Sequence, residues 1–196
     1  MAVAALPQRP ADLPGDPQAP LSPSAAEGLV RLLKPLRCPA RSFVAVAGAP
    51  ANELGLVDAG VFRLLYIDAE GRELTKQFFA EGSWLLTGLD PGLPALASVQ
   101  AITPGRLRLA PLAAVEALMR GHPDLLWWFN RRLLDHLAAK QRREIALLNQ
   151  RALTRYAAFR AQEPDLEGRV PLHMVASHLG MTATQLSRVR RRLGRD

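Results

Sequence analysis

The chain of 196 residues contains a single cysteine, Cys38, and only three lysines among its 25 basic residues. One thiol cannot form an intrachain disulfide, a four-cysteine zinc site or an iron–sulfur cluster. No stretch of about 18 apolar residues occurs, so no membrane span is predicted. The apolar residues 1–6 follow no basic residue and run directly into prolines, unlike a secretory signal. We therefore expect a cytoplasmic protein.

Motifs of catalytic and cofactor sites are equally scarce. The chain has no HExxH motif, no P-loop and no recognisable pairing of a nucleophile with a base, so we expect no enzymatic activity. The four histidines form no obvious pair of axial haem ligands. They are His122, His136, His173 and His178. We predict no catalytic residue, no metal site and no cofactor.

The positive charge is unevenly distributed along the chain. Residues 1–120 hold 11 Lys and Arg against 11 Asp and Glu, whereas residues 121–196 hold 14 against 7. The whole net charge of +7 therefore belongs to the C-terminal part. This asymmetry favours a polyanionic partner for that end, although a basic surface that merely contacts solvent gives the same count.

The N-terminal region begins with a proline-rich segment. Residues 1–21 are predicted to form a disordered tail, because their composition cannot bury a core. Ser22 is a candidate N-cap with Pro23 at the first helical position. The apolar spacing then predicts a helix that continues through Leu36 and ends near Pro39.

Residues 22–120 are predicted to form one domain that is mostly β-structure. Short apolar runs, including 61–67 and 73–79, alternate with glycines between residues 42 and 110, which indicates an all-β barrel, sandwich or roll. A short helix over residues 111–119 closes this region. The glycines expected in turns are Gly48, Gly60, Gly71 and Gly82.

A long helix is predicted over residues 123–149, within a region 121–150. Its first turns are apolar nearly all round, so two of its faces have to be buried. One face can pack on the β domain, and we expect the other to pair with the same helix of a second copy rather than to be buried within a monomer. The residues concerned at its start are Leu125, Leu126, Trp127, Trp128 and Phe129.

The last region, residues 151–196, contains a helix, a break at 163–168 and two short helical segments around Gly180. Gly180 can take the positive φ that ends a helix, and Thr182 is a candidate N-cap for the next one. Ala176 is small where two helices must approach closely. With the inner-face repeat of Leu186, Val189 and Leu193, this spacing is typical of a helix-turn-helix.

The outer face of the second helix is polar and basic. Residues 170–193 contain no acidic residue. Arginine is suited to bidentate contact with guanine and to phosphate, and glutamine to adenine, so we predict that this helix enters a groove of double-stranded DNA. His173 and His178 are expected near DNA phosphate or in solvent. The outer residues are Thr184, Gln185, Arg188, Arg191 and Arg192.

With strands, a long helix and this ending in that order, residues 22–196 resemble the Crp/Fnr family of bacterial transcription regulators. The run LVDAGVFRLLYIDAEGRELTKQFFAEGSW resembles the family's central β-roll, and ASHLGMTATQLSRVRRRL resembles its DNA-reading motif. The resemblance implies an α+β fold. It comprises an antiparallel cyclic-nucleotide-binding-like β-roll (jelly roll), a long dimerisation helix and a C-terminal helix-turn-helix of minimal winged-helix type. It also implies a homodimer that reads a palindromic DNA site and contacts RNA polymerase.

The resemblance assigns roles within the DNA-reading motif. Thr184 and Gln185 fall where family members contact bases, Arg188 falls on the characteristic recognition arginine, and Ser187 on the small residue before it. The family often has Glu at the position of Thr184, so its half-site cannot be carried over to this chain. Only three residues follow Leu193, so no β-hairpin wing is expected. The other predicted DNA contacts are His173, Thr182, Arg191 and Arg192.

An effector site in the β-roll is also implied. In cyclic-nucleotide binders of this fold, a Gly-Glu pair and a later arginine hold the ribose and the cyclic phosphate. Here Leu86-Thr87 and Ala95 fall near those positions, and no basic residue occurs between Lys76 and Arg106. Because a buried phosphate without a cation is costly, dependence on cyclic AMP is not expected. An unidentified effector stays possible, with candidate contacts at Trp84, Gln100, Trp127 and Trp128.

A different class of function fits the same features. The chain could be a small-ligand-sensing or protein-interaction module whose basic end binds no specific DNA. Sequence preference at physiological salt separates the two hypotheses, because non-specific binding rests on phosphate contacts alone.

Overall fold

A computed structural model describes residues 21–88 and 93–193, so nearly all of the predicted disordered tail lies outside the described residues. The described chain forms six helices and eight strands. They are α1 (Pro23–Leu32), β1 (Lys34–Cys38), β2 (Phe43–Ala45), β3 (Glu53–Ala59), β4 (Phe62–Ile67), β5 (Glu73–Phe79), β6 (Trp84–Leu86), β7 (Ser98–Ala101), β8 (Gly105–Pro111), α2 (Leu112–Gly121), α3 (Pro123–Asn149), α4 (Ala152–Gln162), α5 (Leu172–His178) and α6 (Ala183–Leu193).

Helix α1 begins where the sequence predicts and ends earlier. The Ser22 hydroxyl accepts the Ala25 N–H at 3.3 Å, and Pro23 occupies the first turn. The predicted end near Pro39 is wrong, because the helix stops at Leu32 and Leu36 lies in β1. Pro35 explains the early end, since it has no N–H for a helical bond and favours an extended conformation at the residue before it.

The strands form two four-stranded antiparallel sheets, in the orders β1-β8-β3-β6 and β2-β7-β4-β5. Apolar side chains from both sheets, including Val57, Phe62, Val99 and Leu107, form one core cluster. The predicted turn glycines are confirmed, because Gly48, Gly60, Gly71 and Gly82 all have φ between 79° and 90°. The fold is therefore α+β with an antiparallel roll, as predicted.

Helices α1, α2 and the start of α3 pack together outside the first sheet. Their shared cluster contains Leu29, Val115, Leu125 and Trp128, with Leu56 from β3. Helix α3 spans the predicted 27 residues, and this cluster anchors its first turns to the roll. Among the described residues, no helix is long and apolar enough to cross a membrane.

The three C-terminal helices surround a cluster of their own. Tyr156, Phe159, Val175 and Leu186 form its centre. Val61 of the roll belongs to the same cluster, so the C-terminal unit packs directly against the roll as well as following α3.

Candidate nucleic-acid interface and adjoining cavity

The predicted turn between α5 and α6 is present. Gly180 has φ of 63°, and the Met181 N–H donates to the Ala176 carbonyl at 3.0 Å, which closes the end of α5. Ala176 and Leu186 are fully buried where the two helices meet. Replacing either with a charged residue would therefore disturb the angle between α5 and α6.

Helix α6 begins with a reciprocal capping box. The Gln185 N–H donates to the Thr182 hydroxyl at 3.1 Å, and the Thr182 N–H donates to the Gln185 side-chain oxygen at 2.9 Å. Bidentate recognition of adenine uses that same oxygen, so it would have to accept the adenine amino group through its second lone pair. The reciprocal bond is not among the sequence predictions, although the run TATQ contains its signature.

The outer face of α6 is exposed and carries unbalanced charge. Arg188, Arg191 and Arg192 are exposed, and none of them has an ion-pair partner within the described part of the chain. Arg190 pairs with Glu167 at 3.1 Å. It lies about 200° round the helix from Arg188, at roughly 100° per residue, and so on the opposite side of α6. Thr184 and Gln185 are also exposed, and Ser187 is half-buried.

The two histidines of α5 have different surroundings. His173 is exposed in the first turn of the helix. The expectation for His178 is wrong, because its Nδ1 lies 3.0 Å from the Lys76 carbonyl and its ring centre 5.1 Å from that of Phe78. Helix α5 packs on β5, a contact between residues about 100 positions apart that local sequence does not reveal.

Further polar contacts hold the helix-turn-helix against the roll. The Thr75 N–H donates to the Ser177 hydroxyl at 3.0 Å. The Arg169 guanidinium donates two bonds to the Glu81 carboxylate, at 2.7 and 2.9 Å, and this pairing lowers the pKa of Glu81 to about 2. We call these contacts, together with the bond between His178 and the Lys76 carbonyl, the roll junction, which joins the C-terminal unit to the roll.

Acidification from pH 6.5 to 4 is expected to destabilise the roll junction. Burial and the nearby Arg143 guanidinium lower the pKa of His178 to about 4 from an ordinary 6.5. Between pH 6.5 and 4 this histidine binds a proton in the unfolded state but not in the folded state. Its contribution to the free energy of unfolding is therefore complete above pH 6.5 and decreases below it, by about 3 kcal/mol at most. Around the ring lie Arg143 of α3, the Lys76 carbonyl of β5, Phe78 and Phe159.

Thermal unfolding of the wild type and His178→Gln across this pH range measures the effect. The melting temperature of the wild type should fall more steeply than that of the variant. Glu81→Gln is the matched control, because the depressed pKa of Glu81 stabilises the fold above pH 4.5 and loses its effect only as the pH falls towards 2. Parallel slopes for wild type and His178→Gln between pH 6.5 and 4 would contradict the assignment.

A cavity of about 340 Å³ lies between the roll and the inward face of α3. Its apolar wall includes Leu64, Trp84 and Trp128, and the two indole rings meet edge to face with their centres 4.9 Å apart. Pockets that bind small molecules have similar volumes and are mostly apolar with a few polar groups. The cavity is therefore a candidate ligand site that adjoins the roll junction.

The structure brings together two of the four residues that the sequence suggested for an effector. Trp84 and Trp128 line the cavity, whereas Trp127 and Gln100 lie outside its lining. Consecutive residues of a helix point about 100° apart, so Trp128 faces the roll and is buried whereas Trp127 is 74% exposed. The Gln100 side-chain oxygen instead accepts a hydrogen bond from the buried Arg63 Nε at 2.9 Å, and its amide nitrogen donates one to the Arg41 carbonyl.

Three basic side chains that were not predicted for an effector site also line the cavity. Lys76 of β5 lines it, together with Arg132 and Lys140 of α3. The absence of basic residues between Lys76 and Arg106 therefore does not leave the cavity without positive charge, since other elements complete its wall. Residues 132, 136 and 140 recur at a four-residue spacing on the face of Trp128, and this was the signal available in the sequence.

The single cysteine takes no part in either site. Cys38 is buried in the roll, and burial raises the pKa of its thiol, which disfavours the reactive thiolate. Among the described residues, no group of three or more His, Cys, Asp or Glu side chains is placed to hold a metal ion.

Comparisons with known proteins bear on the fold. No protein-family model matches the chain, and no curated protein matches its sequence. Among solved structures, FixK2 from Bradyrhizobium japonicum matches with a TM-score of 0.75 and 18% identity over 83% of this chain and 84% of its own. CLP from Xanthomonas campestris, a c-di-GMP-responsive global regulator, gives 0.72 and 18% over 89% and 93%.

A third structure carries the family name. A protein from Eubacterium rectale, described as a transcriptional regulator of the Crp/Fnr family, matches with a TM-score of 0.67 and 16% identity over 89% of this chain and 84% of its own. At these identities the likeness concerns the fold. The chain thus has the β-roll and C-terminal helices of the Crp/Fnr regulators over most of its length.

Proposed function

We propose that this chain is a homodimeric, sequence-specific DNA-binding transcription regulator of the Crp/Fnr type, which inserts α6 into the major groove of a two-fold symmetric site. The observation that carries the proposal is the exposed outer face of α6. Its three arginines, Arg188, Arg191 and Arg192, have no acidic partner within the described residues, and residues 170–193 contain no acid at all. Such a face is electrostatically complementary to the phosphate backbone of a duplex.

The contacts are divided by position along α6. Arg188 lies in the middle of the exposed face and reads a base, since guanidinium bonds guanine bidentately. Thr184 supplements it one turn earlier. Arg191 and Arg192, nearer the end of the helix, bind phosphates, as does His173 at the start of α5. Gln185 holds the N-terminus of α6 through its capping box with Thr182 and offers its amide N–H groups to an acceptor.

The outward face of α3 supports the homodimer. Trp127, Leu134 and Leu148 are 74%, 59% and 76% exposed, and Ile145 is exposed in nearly the same direction at about 100° per residue. Trp127, Leu134 and Leu148 lie at multiples of seven residues, the repeat of a two-helix seam. A second copy of α3 buries these side chains and brings two α6 helices onto one duplex. A cytoplasmic location and a contact with RNA polymerase belong to the same proposal.

Cyclic AMP is not expected to be the effector. The described residues on the loop side of the cavity, from Trp84 to Gly88 and from Leu96 to Ala97, offer two polar side chains, Trp84, whose indole N–H can only donate, and Thr87. Its hydroxyl oxygen already accepts the Glu53 N–H at 2.9 Å, so little is left to bind a ribose. Isothermal titration of the purified protein with cyclic AMP should detect no micromolar site, and a site of that affinity would overturn this part of the proposal.

Selection of bound duplexes from a random DNA pool tests the proposal as a whole. We expect enrichment of a two-fold symmetric sequence whose half-sites lie about one helical turn apart, because a symmetric dimer reads symmetric DNA. If the pool stays random at physiological salt, the chain is better described as a ligand-sensing or protein-interaction module.

A further inference from the structure

The cavity between the roll and α3 has one apolar end. Trp84 and Trp128 form its wall there with leucines of β3, β4 and β6, and both indole N–H groups lack an acceptor among the described residues. An indole N–H is a donor only, so neither tryptophan side chain offers an acceptor to a ligand. It can hold a hydrocarbon chain or ring, but little that needs to donate hydrogen bonds.

The opposite end of the cavity is basic. Lys76 reaches it from β5, and Lys140 from α3 three turns beyond Trp128. Arg132 is already engaged by Asp135 at 3.2 Å, whereas neither lysine is ion-paired within the described chain; the Lys76 Nζ lies 5.7 Å from the centre of the Tyr66 ring. No Asp or Glu occurs among the described residues that line the cavity.

His136 lines the same cavity as the two lysines and lies one helical turn before Lys140 on α3. His136 is exposed on α3, and its partial desolvation, together with the charges of Lys76 and Lys140, lowers its pKa below the ordinary 6.5. The imidazole is therefore neutral at pH 7 and can donate a hydrogen bond without adding a third repelling charge. Lys76, Lys140 and the neutral His136 thus line one cavity that has no Asp or Glu among its described lining residues.

We propose that this cavity binds a small apolar carboxylic acid, with its hydrocarbon part against Trp84 and Trp128 and its carboxylate between Lys76 and Lys140. The volume of about 340 Å³ equals that of about eleven liquid water molecules, which suits an acid of about that many non-hydrogen atoms. This inference goes beyond DNA binding, and it can be tested without DNA.

Other ligand classes fit less well. A cation would meet two lysines, and a neutral hydrocarbon would leave both ammonium groups without a counter-charge. A sugar or purine would need acceptors and donors where the wall offers indole rings. The proposed carboxylate site also adjoins the helix-turn-helix. The Lys76 side chain would bind the carboxylate, and the Lys76 carbonyl accepts a hydrogen bond from His178 of α5.

Isothermal titration of the DNA-free protein tests the proposal. The probes are decanoate and naphthalene-1-acetate, each paired with the alcohol of the same carbon skeleton, and cyclic AMP. We expect at least one acid to bind with a micromolar to sub-millimolar Kd and its alcohol at least tenfold more weakly, since a charged hydrogen-bond partner contributes about that factor. Lys140→Ala, on the exposed surface of α3, should weaken the acid at least tenfold and leave the alcohol unchanged.

The chain offers a matched control, because its third lysine, Lys34, lies in β1 and does not line the cavity. Lys34→Ala should bind the acid as the wild type does. Trp84→Phe, which keeps an aromatic ring, should shift the affinity for acid and alcohol alike. Equal binding of acid and alcohol, preference for cyclic AMP, or no binding by either acid below about 1 mM would overturn the proposal. The random-pool selection is performed without ligand, so either result can fail independently of the other.

Discussion

Replacing Arg188 with alanine is expected to lower the affinity for the selected duplex by about 5- to 150-fold per half-site and to relax the preference at one base pair, because a bidentate contact to guanine contributes about 1–3 kcal/mol. Fluorescence anisotropy with the labelled duplex measures both quantities. Binding to a scrambled duplex should change much less, since phosphate contacts from the rest of the face persist.

Two neighbouring arginines serve as controls for this result. Arg190 pairs with Glu167 on the far side of α6, so Arg190→Ala should bind the selected duplex within about threefold of the wild type. Arg191→Ala should weaken binding to all sequences alike and reduce the dependence on salt by about one phosphate contact. If Arg190→Ala were the more damaging substitution for specificity, the outer face of α6 would not be the reading surface.

Replacing Leu134 with arginine is expected to convert a dimer into a monomer. Leu134 is 59% exposed at the centre of the apolar face of α3, where a second copy would place its own Leu134 opposite, and two buried charges there would repel without a partner. Analytical ultracentrifugation should show the halved mass. Affinity for the full palindrome should then fall by about 10²–10⁴-fold, because the two half-sites no longer bind as one unit.

Leu93 provides the control for that substitution. It is 62% exposed and belongs to the segment between β6 and β7 rather than to α3, so Leu93→Arg should leave the protein dimeric with wild-type affinity. Circular dichroism should show that both variants are folded. A Leu134→Arg protein that still sediments as a dimer would show that the apolar face of α3 is not the interface.

The parts of the fold that were predicted correctly rest on local signals. Helix α3 has the predicted bounds because Pro123 starts it and apolar residues repeat along it. The α5–α6 turn follows from Gly180, which takes the positive φ that its position requires. The predicted end of α1 is wrong because the apolar spacing continues past Pro35, whereas the proline, which lacks an N–H, ends the helix by an equally local effect.

The errors about the sites come from contacts between distant segments. Lys76 and Lys140 reach one cavity from β5 and α3, and His178 is buried by packing on a strand about 100 residues away. Sequence periodicity describes one element at a time, so it cannot show which elements share a wall. Trp127 and Trp128 illustrate the limit: both were candidates for the cavity, and only the phase of the helix against the roll separates them.

The affinity ratio for the selected duplex over a scrambled duplex of the same base composition, measured with the wild-type protein at about 150 mM salt, tests the central claim most directly. A regulator that reads bases through α6 should prefer the selected duplex by at least about 10³-fold. A ratio within about tenfold would mean that the arginines of α6 bind phosphate alone, and it would contradict sequence-specific DNA binding as the function of this chain.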